Sequence, residues 1–521
     1  KRQAIFFQTL LETDDFISAD VIAEELGISR RSLSRDINRM KEVLLTYQLD
    51  LESKSGVGIK LVGTELNKRL LYLYEVMDYL EHELELPHEL LATYADFMDN
   101  HRFPLDVERT FLSTLKLTIL RKEKAVGEEG LSWFTSQDKL DLPSIFYDIL
   151  AYFLGREISR AEKAFLTFPM QIGLLASEIG RPDILAMAKE VLGLTVQEFG
   201  ISLDIEESAL ILQCHLVYML NRSVMKWQFT EISLREQLIQ SSFSKVVSQF
   251  FVERVMERTG LSISDKEVIL LAAWMELLLA RKSKPLIAKV AVITQSGQSF
   301  SYLVDNQIRQ IFNSEVQLDF LDFANHPPYE ELNRTYDLIF TDNLLYSQEL
   351  FQPFLSLSLV TKENQAEREA LERTVLGRKI QMHCQVELAR FDEGKSYEDN
   401  KQALLEQLVA KQVIGQEVAD KLQEKEAAHP AISENGYAYP HLTDASLEQI
   451  ILVVPVQDSL HLSSQTGLAV HDFVLIFVPS ELDEFNQDLL FNIFDNTFRM
   501  GKRSHIKERL GIDQRSDMLT L

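Results

Sequence analysis

The chain has 521 residues, 25% charged and 46% hydrophobic, an ordinary globular balance that excludes wholesale disorder. At about 150 residues per domain, that length accommodates roughly three to five domains. Its 79 acidic against 53 basic residues leave a formal charge of −26, which argues against a nucleic-acid coat and against charge-driven attachment to an anionic membrane.

Glycine (20) and proline (13) are scarce, together roughly half their usual share, so long elements, mostly helices, are expected. Two cysteines, Cys214 and Cys384, cannot staple a chain of this size, and they do not stand at a metal-finger spacing. A reducing interior follows as the expectation. No apolar run approaches the ~18–20 residues that span a bilayer, and the first ten residues lack a signal peptide's apolar core. The reading is a cytoplasmic chain with no membrane insertion, no metal site and no cofactor.

Residues 1–63 carry nine basic and ten acidic side chains, so they are near neutral while the remainder holds the negative charge. Residues 19–26 read as a short helix with Val21, Ile22 and Leu26 inward, ended by Gly27 as a left-handed turn residue. Ser29 then offers an N-cap to a helix over 30–44, with Leu33, Ile37, Met40 and Leu44 on one face. The other face carries Arg30, Arg31, Ser32, Ser34, Arg35, Asn38 and Arg39. Helix, glycine turn and arginine-faced helix make the helix-turn-helix order, in which the second helix enters the major groove. Arginine suits that face because its planar fork grips guanine or phosphate with two hydrogen bonds. Downstream, 49–54 and 59–62 alternate as strands around Gly56-Val57-Gly58, a wing that sets Lys54 and Lys60 against backbone phosphate. The segment resembles the winged helix-turn-helix of bacterial sugar-operon activators.

From 65 to about 285 the chain is nearly continuous amphipathic helix, and two stretches echo each other about a hundred residues apart. The second holds His215, seven residues before Arg222; the first holds Thr114, seven before Arg121. Each is followed by a helix introduced by a polar run, Ser159-Arg160-Ala161-Glu162 or Ser264-Asp265-Lys266-Glu267. Such a pair after a winged helix resembles the phosphotransferase regulation domains of transcription activators and antiterminators. The resemblance implies two phosphate-accepting histidines in each unit. Thr114, Pro169 and Trp274 stand at three of those four positions, so His215 alone keeps the acceptor chemistry. Phosphorylation there would put a charge near −2 at a domain interface, which arginine one or two turns away can receive.

Strands over 287–294, 316–321, 336–341 and 354–360, with helices from 300 to 312 and 363 to 375, read as a small parallel sheet covered by helices. The polar loop Gln295-Ser296-Gly297-Gln298-Ser299 before a helix has the form of an anion cradle. The region resembles the enzyme IIB module of sugar phosphotransferase permeases, with Thr294 where that family has its phosphate-taking cysteine. Transfer chemistry is therefore absent here and a docking role is expected. Beyond 400, helices over 404–413, 417–424 and 484–498, with strands over 449–456 and 470–478, surround Gly436-Tyr437-Ala438-Tyr439-Pro440-His441. That order resembles the enzyme IIA module of the mannitol/fructose class, which implies His441 as phosphate carrier, its ring held out of the sheet edge by Pro440.

The expected architecture is multidomain: a winged helix-turn-helix at 1–64, all-α regulation domains at 65–178 and 179–285, a IIB-like α/β domain at 286–380 and a IIA-like α/β domain at 395–521. The whole resembles mannitol-operon-type and Mga-type activators. It implies a non-enzymatic DNA-binding regulator of sugar-utilisation or virulence genes, tuned through His441 and His215. Its partners would be double-stranded DNA, HPr and sugar-specific phosphotransferase proteins, and a second copy in a homodimer. A phosphocarrier of the transport system and an RNA antiterminator are the alternatives.

Overall fold

The computed structural model describes residues 2–80, 85–101, 103–136, 142–173, 181–227, 242–282, 286–294, 298–312, 316–322, 326–341, 355–356, 365–433, 436–498 and 505–512. Its contacts divide the chain into two compact units. One comprises Lys1–Lys189, Glu206–Arg235 and Val252–Val268; the other comprises Glu190–Ile205, Glu236–Phe251 and Ile269–Leu521.

The first unit opens with helix Arg2–Glu12, followed by Ala19–Glu25, Arg30–Thr46 and an antiparallel pair, Asp50–Lys54 with Gly58–Val62. These are the helices and wing of a helix-turn-helix head. Phe6, Phe7, Leu10 and Leu11 of the opening helix are buried with Ile22, Leu33, Leu44, Leu51 and Ile59. The same apolar cluster continues into Leu66, Leu70, Leu117, Phe165 and Phe168 of the helices that follow, so the head shares its core with them. Val21 departs from its expected inward place and is 46% exposed. In so short a helix, Ile22 and Ala23 fill the inward arc, and their neighbour is turned about 100° away.

Helix Glu65–Glu75 and the short Met77–Leu80 follow the wing; then come His88–Asp99, Leu105–Leu120, Ser144–Leu154 and Arg160–Gly173, the last with Pro169 inside it. Four more follow at matching intervals: Pro182–Phe199, Ile205–Val224, Ser242–Thr259 and Asp265–Lys282. The repeat predicted from two echoing stretches thus extends to four helices in each copy.

Charge pairing differs between the copies. In the second, Arg222 grips its own copy's Glu267, Nε to Oε1 at 2.5 Å and Nη2 to Oε2 at 2.8 Å. In the first, the equivalent Arg121 leaves Glu162 and donates to Glu65 (2.6 and 2.8 Å) and to the buried Leu11 carbonyl (2.8 Å). Glu162, with no exposed side-chain surface, is met instead by Arg69 (2.8 Å) and Arg156 (2.9 Å). Arg69 also donates to Glu65 at 3.1 Å and to the Lys124 carbonyl at 2.6 Å. Two acids and three guanidinium groups therefore tie the end of the opening helix to the first helical repeat.

In the second unit, Ala288–Thr294, Val316–Asp322, Leu338–Thr341 and Leu355–Ser356 form a parallel sheet in spatial order second, first, third, fourth. Helices Gln298–Ile311, Tyr329–Thr335 and Gln365–His383 accompany it. Of the expected cradle at 295–299, residues 295–297 lie outside the described residues while Gln298 and Ser299 already belong to the helix; all of the fourth strand except 355–356 also lies outside them. A second, mixed sheet has the order Cys384–Ala389, Ile450–Pro455, Leu475–Pro479, His441–Asp444. Its first strand precedes 395 and pairs in parallel with Ile450–Pro455, an element absent from the sequence reading. No described helix is long and apolar enough to cross a membrane.

Removing Glu162 takes away one of the two carboxylates that compensate the fully buried Arg69 and leaves that guanidinium with Glu65 alone. Glu162→Ala is expected to destabilise the first unit by about 3–5 kcal/mol. A denaturant midpoint for that unit within error of the wild type would contradict the pairing.

Candidate nucleic-acid interface and buried histidines

Two serines and a glycine shape the exposed helix pair. Ser18 Oγ accepts the Val21 amide at 3.3 Å, and Ser29 Oγ accepts the Ser32 amide at 3.2 Å. Each oxygen satisfies a first-turn amide that has no intrahelical partner, so each helix starts where its serine stands. Gly27 between them has φ +63°, the left-handed turn that a side chain would strain. Helix Arg30–Thr46 is anchored by buried Leu33, Met40 and Leu44 and half-buried Ile37. Arg30, Arg31, Ser32, Ser34, Arg35, Asn38 and Arg39 are all exposed on it. Arg31, Arg35 and Arg39 recur every four residues and so line one ridge. Arg30 is engaged by Asp20 of the preceding helix, which fixes the two helices at their exposed edge.

The wing is pinned from inside. Ile17 and Ile59 exchange two 2.9 Å backbone hydrogen bonds, and a Cβ on Gly58 would stand 2.0 Å from the Ile17 carbonyl oxygen. Only glycine allows that approach. Lys54 is exposed at the strand end, its ammonium 5.9 Å from the Phe16 ring, while Lys60 is half-buried opposite Glu52.

Neither candidate histidine stands in the open. Thr114 is buried, its hydroxyl donating to the Phe111 carbonyl at 2.8 Å. His215, at the same place in the second repeat, has its ring nitrogen Nε2 closed off from solvent. Burial, then the charge of Arg222, pushes its pKa down to about 3, so the ring is neutral near pH 7. Arg222, expected to receive charge here, is committed to Glu267.

His441 contradicts the expectation of an outward-pointing ring: it is 4% exposed. Pro440 does place it at the start of an edge strand, His441–Asp444, but neighbours cover it. Phe199 stacks on the ring at 5.2 Å, and Phe494 meets it edge-on at 5.8 Å. Nδ1 lies 3.1 Å from the Tyr439 carbonyl, which can only accept, so Nδ1 carries the proton. That leaves Nε2 turned toward Glu198, with Oε1 at 3.1 Å. The ring nitrogen and the carboxylate oxygen attract each other only when a proton stands between them. Lys425 completes the group, its ammonium 2.6 Å from Glu198 Oε1 and 2.8 Å from the His441 carbonyl. Burial pushes the Glu198 carboxyl up, but His441 and Lys425 outweigh it and hold the pKa at about 2.

Glu198, Phe199 and Lys425 escaped sequence reading. Glu198 and His441 are hundreds of residues apart, and neither a spacing nor a motif links them.

Residues 2–60 match the family described as HTH domain. Over 477 residues the chain is 23% identical to a protein of Bacillus subtilis (strain 168) named probable licABCH operon regulator, an overlap of 85% of this chain and 73% of that protein. The first match covers the head, and the second runs on through helical and α/β segments.

A carboxyl lowered from 4.5 to about 2 stabilises the folded site fully above its unfolded pKa and loses that contribution as pH falls through the folded one. The stability advantage of the wild type over Glu198→Gln is expected to shrink as pH falls from about 5 toward 2. Denaturation at a series of acidic pH values measures it; a constant difference would contradict the assigned pairing.

Proposed function

We propose that this chain is a DNA-binding transcriptional regulator, an activator of sugar-utilisation or virulence genes that answers to sugar phosphotransferase proteins. The carrying observation is the helix Arg30–Thr46, whose one face is sealed into the core while seven polar residues stand exposed on it. In this reading Arg30, Arg31, Ser32, Ser34, Arg35, Asn38 and Arg39 meet the major groove, and Lys54 and Lys60 of the wing meet phosphate. The HTH-domain match over 2–60 and the likeness to a probable operon regulator support it.

The two four-helix repeats act as regulation domains, and the two sheets as IIB-like and IIA-like modules that sense rather than catalyse. His441 is the principal phosphate acceptor and His215 the second. A neutral imidazole is the form that attacks phosphorus, and His215 is held neutral by burial. HPr and sugar-specific carriers are the donors. One recognition helix reads about half a turn of groove, so a homodimer on a paired site is expected.

Gel shift on duplexes selected from a random pool tests the head. Arg35→Ala and Arg39→Ala are each expected to cost about 1–3 kcal/mol of binding and to relax base preference, and Lys54→Ala to weaken all sequences alike with a salt slope reduced by about one. Unchanged affinity in all three removes the face from the interface; preference for hairpin RNA favours antitermination. Labelling by the phosphotransferase proteins is expected to vanish in His441→Ala, and label that persists moves the principal acceptor to His215.

A further inference from the structure

Glu198 is a carboxylate lodged against the one ring nitrogen of His441 that could act as a nucleophile. With Nδ1 donating to the Tyr439 carbonyl, Nε2 is the nitrogen left for attack; Glu198 Oε1, 3.1 Å away, favours a proton between them, and a nitrogen so occupied has no lone pair to offer. A reacting phosphorus must approach Nε2 to about 3–3.5 Å, a distance at which an oxygen already 3.1 Å from that nitrogen crowds it. The carboxylate oxygen and the incoming phosphoryl group therefore compete for one place. They compete in charge as well, since a half-buried carboxylate beside a phosphoryl group of charge near −2 is repelled. Lys425 bridges the alternatives: it is bound to Glu198 at 2.6 Å and to the His441 carbonyl at 2.8 Å, so it stays beside the ring if the carboxylate leaves.

We propose that Glu198 is a gate on His441, an internal stand-in for the phosphoryl group, so that phosphorylation at Nε2 and the docking of the Glu198 end of helix Pro182–Phe199 exclude each other. The proposal rests on the reading of His441 as a phosphate acceptor and adds its control. When the gate opens, Lys425 exchanges the carboxylate for phosphoryl oxygens. Phe199, stacked on the ring, is displaced with its neighbour, so the event at the ring becomes a movement of a helix end. The step is a simple transfer. Once the carboxylate withdraws, Nε2 gives up the proton it shared with Glu198 and its lone pair forms a bond to phosphorus; the donor's nitrogen–phosphorus bond breaks, the departing nitrogen takes that proton, and Nδ1 keeps its own on the Tyr439 carbonyl. No electron changes hands.

The full-length chain with phosphoramidate, a small donor that needs no partner protein, tests the gate apart from the donor. Ammonia is the leaving group, and phosphohistidine at His441 is mapped by mass spectrometry in alkaline buffer. Glu198→Gln and Glu198→Ala are expected to accept phosphate at His441 roughly 10–100-fold faster than the wild type, as loss of a charged contact implies. Lys425→Ala added to Glu198→Gln is expected to slow it again by roughly tenfold or more, an effect that mere loosening of the site would not produce. Equal rates in the wild type and both Glu198 variants overturn the gate, as does a Glu198→Gln rate indifferent to Lys425. No label at His441 in any variant overturns the gate and the acceptor reading together. Acceleration by phosphoramidate without labelling by phosphotransferase proteins supports the gate and removes only the proposed donors.

Discussion

A guanidinium group taken entirely out of water must find compensating charge inside the protein, and Arg69 has no exposed side-chain surface. That constraint organises the first unit. Glu65 and Glu162 must lie on either side of Arg69, which ties the helix after the wing to the fourth helix of the first repeat. Arg121 extends the chain of charges to the Leu11 carbonyl at the end of the opening helix. A buried ionic network adds little net stability compared with an apolar core, but it tolerates few alternative arrangements. The head that presents the arginine face is thus held in a defined attitude to the first repeat by charge pairing as well as by a common apolar core.

The two repeats show how one motif is put to two uses. Arg222 and Glu267 close on each other within the second repeat. Their counterparts in the first, Arg121 and Glu162, are pulled apart to engage the head and Arg69. The same substitution logic runs through the histidine positions: Thr114 bonds a backbone carbonyl where His215 carries a ring. The first repeat is built as a mount for the head, and the second closes its charge pair on itself and carries His215.

Much of this was legible in the sequence because the signals are local. Ser29 as cap, Gly27 as turn, the apolar positions Leu33, Met40 and Leu44 and the arginine ridge all act within a few residues of one another. The long helix Glu484–Phe498 and the individual strand Ala288–Thr294 were readable for the same reason. The opening helix Arg2–Glu12 was not read, although Phe6, Phe7, Leu10 and Leu11 stand at helical spacing. What escaped is non-local. The burial of His441 depends on Phe199 and Phe494, and its charge environment on Glu198 and Lys425. The edge strand Cys384–Ala389 is recognisable only through its partner Ile450–Pro455. Local rules place elements; they do not say which distant side chain closes over a ring.

The central claim is that an arginine-faced helix, anchored through buried charges, reads duplex DNA. Hydrogen exchange on the full-length chain, with and without a duplex enriched from a random pool, tests it most directly. The account predicts slowed exchange in helix Arg30–Thr46 and in the wing when the duplex is bound. Failure of any duplex to be enriched, or protection confined to the α/β segments, would contradict it.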